Sequence, residues 1–513
     1  MSAVQLLLPE LLLGAIAFGV LGLDLVLPRD RRPRLFWLGV VGVVGVGISL
    51  LTQVGQRGVL SNRLFVLDGY TLFFHALFLA IAAVVLLFSA GYVRRFLSYP
   101  GEFVALILLS TLGMMFIAAA GELLTAYISL ELLSFCLYIL ASYARDDPKS
   151  NEAGLKYVLL GALATALLLL GVSLVYGYAG STFYREIAVA LSGRDLPPGV
   201  WMGLALLLAG LGFKVAAVPF HGWAPDVYEG APLPVTAYIS SASKAAGFAF
   251  LLRLGAEALQ PALPQLMPAL AAIAAVTMTL GNLVALRQHN LKRLLAYSSI
   301  GQVGYLLLGF VVLSPLAASG VLFHLTGYVV NNLAAFCCLI VAYHHTQNEE
   351  MEAVAGLGQR APAVALTLAA ALFSLAGLPV FVGFVSKFYL FTAAAKGGLL
   401  WLVLLALLNS LVSLYYYLMV IKQAYLGHAT EASPANDAIS EPISATDRTP
   451  PQVALPIAGA AVQADGPEAV WRVGPTLQWL CLALFLAIVV LGVYPGPLVQ
   501  AIEAVGRGLL GGS

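Results

Sequence analysis

The sequence predicts an all-α polytopic membrane protein of about 14 transmembrane helices. Of its 513 residues, 61% are hydrophobic and only 10% charged, which is too apolar for a soluble domain of this size. The apolar runs also recur at the length of about 20 residues that a bilayer demands. A barrel would show segments of about 10 residues alternating in polarity, and the sequence has no such pattern. A net charge of +1 offers nothing to nucleic acid.

Taken in order, the spans fall at 3–26, 34–53, 70–93, 101–119, 121–143, 152–178, 199–229, 232–258, 264–287, 291–312, 315–343, 361–397, 399–426 and 475–499. The first lacks a basic leader and a small-residue cleavage site, so it reads as a retained span. Spans seven and twelve are too long for one straight crossing. Each carries a break, at Pro219 and at Gly377-Leu378-Pro379, because proline removes an amide and clashes with the preceding turn. Loops after odd spans hold fifteen Lys and Arg, against six in the even loops and the C-terminus. That bias puts the odd loops in the cytoplasm and both termini outside, in the cytoplasmic (inner) membrane of a cell.

The spans group into units. Residues 1–100 carry spans one to three, 101–258 a block of spans four to eight, and 264–426 a block of spans nine to thirteen. In each block the fourth span is broken. Five is odd, so the second block is inverted relative to the first, the pattern of a transporter built from inverted repeats. Residues 427–474, rich in Ala, Pro, Ser, Thr and acids, read as a flexible cytoplasmic linker before the last unit, 475–513. A short surface helix is expected at 181–192.

Set aside the loop cations and five remain: Lys156, Lys214, Lys244, Arg253 and Lys387. Arg253 is near the outer end of its span, where snorkelling accounts for it. Lys156 lies one turn inside the cytoplasmic end of span six, where snorkelling and function are both open. Lys214, Lys244 and Glu131 fall at the midpoints of spans seven, eight and five, and Lys387 lies just past the break of span twelve. A charge at helix centre costs roughly 2.5–3.5 kcal/mol, so four cost on the order of 10 kcal/mol, comparable to the stability of a domain. Burial disfavours a lysine's cation and a nearby carboxylate restores it. A lysine facing a movable carboxylate therefore takes up and releases a proton, as a relay requires.

His221, after the Pro219 break, and His324, within span eleven, keep company with these lysines and are candidate stations. His344, His345 and His428 stand at helix ends. His75 and His289 are expected to lack charged company, and no role is expected for any of these five. Cys136, Cys337, Cys338 and Cys481 lack metal or cluster spacing, and no dinucleotide or phosphate loop is present. No cofactor or metal is expected in this chain.

The stretch GFKVAAVPFHGWAPDVYEGAP at 212–232, followed by PVTAYISSASKAAGFAFLLRL, is similar to the proton-translocating, antiporter-like membrane subunits of respiratory complex I. NEAGLKYVLLGA, LKRLLAYSSIGQVGYLL and AGLPVFVGFVSKFYLF extend the resemblance from about residue 100 to 425. Within the family the pattern resembles the branch called subunit N or subunit 2. Lys387 stands where a sibling has glutamate, and Asn331 and Asn332 stand where siblings carry a lysine. His324 departs from the branch, in which an aromatic is common.

The resemblance implies a non-redox subunit of an NADH:quinone oxidoreductase. Glu131 would modulate Lys214, which would pass protons through Lys244 and His221. Lys387 would be the exit station and Lys156 the entry. Moving one charge against about 100 mV costs about 2.3 kcal/mol, to be supplied by redox chemistry elsewhere. NADH, FMN, iron–sulfur clusters and quinone would then belong to or near partner subunits, and the direct partners would be an antiporter-like sibling, small membrane subunits and lipid. Two alternatives stay open: a cation/proton antiporter subunit, and a related complex using ferredoxin or another donor. Asp226 and Glu229 read as helix-end chemistry.

Overall fold

The chain is a bundle of helices long enough to cross a bilayer. The computed structural model describes residues 2–28, 30–193, 196–427 and 470–511. Among these, thirteen helices are long and apolar enough to span: Leu8–Val26, Arg32–Gln53, Gly69–Phe96, Pro100–Ala119, Leu123–Ala141, Pro148–Ala179, Pro198–Val215, Leu233–Leu259, Leu263–Ala285, Leu291–Val311, Pro315–Thr346, Leu400–Leu426 and Pro475–Val493. Span twelve of the sequence is the remaining one, divided into Pro362–Ala376 and Val382–Lys396. Span seven continues after its break as Trp223–Gly230. All fourteen predicted segments are therefore helical, and both expected breaks occur.

Three features differ from the sequence reading. The loop after span two pairs Gly58–Leu60 with Phe65–Leu67 as a small antiparallel hairpin. Span fourteen ends at Val493, and a separate amphipathic helix, Gly496–Gly511, follows Pro495. The expected linker falls mostly at 428–469, outside the described residues. The surface helix is present at Tyr184–Leu191.

Packing is tightest around spans eight, ten and eleven, which are almost wholly buried. Small residues permit this, because helices in lipid associate by close backbone approach. A Cβ on Gly281 of span nine would sit 2.5 Å from the backbone nitrogen of Gly301 in span ten. Leu6 before span one packs with Phe65, Leu67 and Ala119. The C-terminal helix lays Gly506 against Ser319 at the start of span eleven and Val505 beside Gly69 at the start of span three. Both termini thus lie at one end of the bundle. Arg94 and Arg95, the starts of spans six and ten, and the end of span eleven lie at the other.

Candidate functional site

The first broken helix ends at Val215, and Ala216 turns it with φ +62°. The freed carbonyls are met locally: the Ala217 amide bonds Gly212 at 2.8 Å, and the Trp223 indole from the second half bonds Phe213 at 2.8 Å. Thr277 of span nine takes the Val218 amide at 3.1 Å. Lys214, one residue before the helix ends, is 4% exposed. Its Nζ donates to Ser134 Oγ of span five at 3.0 Å and lies in the electrostatic field of Glu131. Ser134 in turn donates to Leu130 one turn back. Glu131 Oε1 is buried with no hydrogen-bond partner among the described residues. The structure thus places Lys214 within the field of Glu131 without an ion pair between them, and adds Ser134.

Lys244 begins the α-helical part of span eight directly after a π-helical turn, Ile239–Ser243. Such turns interrupt the regular hydrogen-bond ladder and often mark functional sites. The Ser240 carbonyl is taken by Tyr328 at 2.8 Å, and Asn332 of span eleven donates to Ser240 Oγ. Lys244 is fully buried. Its Nζ donates to Ser299 of span ten and lies 5.8 Å from the centre of the Tyr228 ring. Gly247, one turn further along span eight, is where a Cβ would touch the Lys214 stem at 3.7 Å. Lys214 and Lys244 therefore share one helix interface.

The second break has a different construction. Pro362–Ala376 ends at Gly377, φ +90°, and its last carbonyls point into the gap. Lys387, 3% exposed, fills it: Nζ donates to the carbonyls of Leu375 at 2.8 Å and Ala376 at 3.2 Å, and to Ser410 Oγ at 2.9 Å. The Tyr305 ring lies 4.7 Å from the same nitrogen. A cation at the carbonyl end of a helix is where the helix dipole favours it. Gln302 of span ten also donates to Leu375, at 3.1 Å, and its Oε1 meets His324 Nε2 at 3.1 Å. His324 Nδ1 is 2.9 Å from Ser386 Oγ. Gln302 is one turn from Ser299, on the same face of span ten. A row of buried polar groups thus runs from Ser134 through Lys214, Lys244, Ser299, Gln302 and His324 to Lys387 and Ser410.

Two expected stations lie off this row. His221 sits half-buried in the first break, near Pro219. Its Nδ1 has no partner among the described residues, and it shares no hydrogen bond with either lysine. Lys156 is partly exposed and bonds Asp226 at 2.8 Å and Glu152 at 2.7 Å. Arg293 bridges Asp226 and Glu229 at 2.8 and 2.9 Å. These residues line a cavity of about 160 Å³ at the bundle end where spans six and ten begin. Pro379 stands in the second break, followed by Val380 at φ +80°.

Arg253 corrects the sequence reading. It does not snorkel: it is 1% exposed and bonds Asp68 at 2.9 Å and Glu257 at 3.0 Å. Burial pushes the Asp68 carboxyl up, but the Arg253 charge and hydrogen bonds from Thr71 and Arg253 hold it below the ordinary carboxylate range. Lys292, counted among the loop cations, is also buried, on the Ala231 carbonyl and Glu349. His75 does have an ionisable neighbour. Its Nδ1 is 3.4 Å from Glu10 Oε1 of span one, with both side chains buried. Sequence proximity cannot reveal that pair, because 65 residues separate its members. Cys337 and Cys481 place their sulfurs 3.5 Å apart. No cluster of three or more His, Cys, Asp and Glu able to hold a metal occurs among the described residues.

Residues 120–413 match a family model described as NADH:quinone oxidoreductase/Mrp antiporter, TM. NADH-quinone oxidoreductase subunit N of Moorella thermoacetica is 41% identical over 97% of both chains. The chain belongs to this family. NAD(P)H-quinone oxidoreductase subunit 2 of Trichormus variabilis is 40% identical over 83% of each chain. A chain of respiratory complex I from Thermus thermophilus with bound aureothin superposes with TM-score 0.74 at 32% identity, covering 96% of this chain and 99% of that one. A chain of the Mrp complex from Dietzia shares the fold, TM-score 0.85, at 23% identity, covering 100% of this chain and 98% of that one. The all-α polytopic fold of an antiporter-like membrane subunit is thus established, and the first break, Lys244 and the second break all lie within the matched region.

Proposed function

We propose that this chain translocates protons as a non-redox membrane subunit of a complex I-type NADH:quinone oxidoreductase. The observation that supports the reading is the set of buried polar groups among which Lys214, Lys244 and Lys387 stand, on Ser134, Ser299 and the Leu375 carbonyl. Three buried ammonium groups cost more than a scaffold would return, whereas a relay needs them. Glu131, beside Lys214, is the charge that modulates the row; Gln302 and His324 link the centre to Lys387. Lys156, with Asp226 and Arg293, forms the entry, and His221 serves the water-accessible break at Pro219. NADH, FMN, iron–sulfur clusters and quinone belong to partner subunits, and the neighbours in the membrane are an antiporter-like sibling and small subunits. The two broken helices divide residues 101–258 and 264–426 into inverted five-helix blocks. The arginine-rich end faces the cytoplasm, and both termini lie outside the cell membrane.

The test is proton pumping by the assembled complex in sealed vesicles, with NADH as donor. Lys214→Ala and Glu131→Gln should each lower pumping by at least about tenfold, the scale of a lost proton-transfer group, while the subunits still co-purify. Undiminished pumping in an assembled Lys214→Ala complex overturns the relay. Sodium-dependent proton flux without any electron donor would favour an antiporter instead.

A further inference from the structure

We infer that this chain holds one anionic phospholipid in a cleft at the arginine-rich end of the bundle, away from the lysine row. Four helix ends meet there: the start of span two, the ends of spans three and eleven, and the start of span fourteen. They enclose a cavity of about 570 Å³ walled by Phe36, Trp37, Val40 and Leu86. A second cavity of about 410 Å³ continues it past Arg32, sharing Phe36, Ala90 and Arg94. The space is apolar along its depth and cationic at its mouth.

Four polar features converge on the mouth. Arg94 lines both cavities and has no hydrogen-bond or ion-pair partner among the described residues. Arg95 lies over the Phe96 ring at 5.1 Å and bonds the His344 carbonyl at 3.0 Å, which leaves donors free. The His344 Nε2 is buried with no partner among the described residues. Span fourteen opens at Gly474 without a side-chain cap, and Thr476 and Leu477, whose amides have no partner within the helix, line the cavity. A helix N-terminus with paired arginines matches a phosphate group. The aromatic and aliphatic wall suits acyl chains, and helix ends lie at headgroup depth. Basic pockets between helices hold anionic headgroups in this way. The lipid would join spans two and three to span fourteen, elements brought together from opposite ends of the chain.

The experiment uses the purified complex, stripped by detergent and returned to phosphatidylcholine nanodiscs with graded phosphatidylglycerol. Bound lipid is read by native mass spectrometry. We expect one tightly held phosphatidylglycerol in the wild type that is lost or weakened on the order of tenfold in Arg94→Gln/Arg95→Gln. Ala90→Trp should expel it by filling the wall with the charges intact. Arg287→Gln, a cation elsewhere on the same end, should leave it in place. Equal retention by the arginine variant, or equal retention of phosphatidylcholine, overturns the site. Displacement by millimolar inorganic phosphate would overturn the lipid assignment in favour of a free anion. If Ala90→Trp fails to assemble, the doubly substituted surface variant decides alone.

Discussion

The two broken helices solve one problem with the same local amides and then with different side chains. Each must satisfy carbonyls that a membrane helix cannot leave open. The first closes itself: local amides and the Trp223 indole take its carbonyls, which leaves Lys214 to a serine and the field of a carboxylate. At the second, the Gly377 and Leu378 amides likewise take the Phe373 and Ser374 carbonyls, but the last two are closed by its lysine, whose ammonium sits on Leu375, Ala376 and Ser410. Lys214 is therefore expected to be structurally dispensable and electrostatically adjustable. Lys387 is part of the architecture. A shared residue type at two breaks does not imply a shared job.

The largest expected contrast is steric. A Cβ on Gly383, which opens the second half of span twelve, would lie 1.7 Å from the Ser374 carbonyl oxygen. Backbone cannot yield as a side chain does, so Gly383→Ala should cost more than about 4 kcal/mol and remove the assembled protein. At the first break a Cβ on Gly212 meets the Phe220 ring at 3.1 Å and the Ala217 Cβ at 4.0 Å, both side-chain atoms. Gly212→Ala should stay within about 1 kcal/mol, since ring movement offsets a helix-propensity gain. Yields of membrane-inserted protein check both. Comparable yields of the two variants would break the contrast.

Next comes the lysine pair itself. Lys387→Ala strips charge-assisted bonds from a helix end and should lower stability by about 2 kcal/mol. Lys214→Ala removes one bond to a hydroxyl that keeps its own acceptor, Leu130. Losing that bond and relieving a buried charge should nearly cancel, leaving stability unchanged while pumping falls. Thermal unfolding midpoints in one detergent measure the difference. A larger drop for Lys214→Ala than for Lys387→Ala would reverse the assignment of structural and adjustable roles.

Much of this was legible in the sequence because membranes make charge conspicuous. Glu131, Lys214, Lys244 and Lys387 announce themselves by depth alone, and Pro219 and Gly377-Leu378-Pro379 mark the breaks by backbone chemistry. What depth cannot supply is a partner. Arg253 looked like an outer-end cation until Asp68, from span three's start, closed on it. His75 has no ionisable neighbour in its own span, and Glu10 comes to it from span one. Ser134, Ser299 and Gln302 were invisible because single polar residues are common in apolar helices. Their importance comes from the lysines and carbonyls they touch. The C-terminal helix after Pro495 escaped because its pattern is amphipathic and lacks the continuous apolar run of a full span.

The smallest expected effect concerns how each break turns. Val380 takes φ +80° and Ala216 takes φ +62°. A left-handed conformation costs a non-glycine residue about 1–2 kcal/mol, and a β-branched one suffers most. Val380 is 58% exposed, so little burial is lost on truncation. Val380→Gly removes the strain but gives back about 0.5–1 kcal/mol of chain entropy. The net should be a gain of up to about 1 kcal/mol, seen as a midpoint about 1 °C higher. Ala216→Gly, with less crowding to relieve, should come out near zero. If both glycine variants gain equally, side-chain branching is irrelevant and the two turns are strained alike. If Val380→Gly loses stability, the left-handed turn at Val380 carries no strain that glycine relieves, and the contrast between the two turns fails.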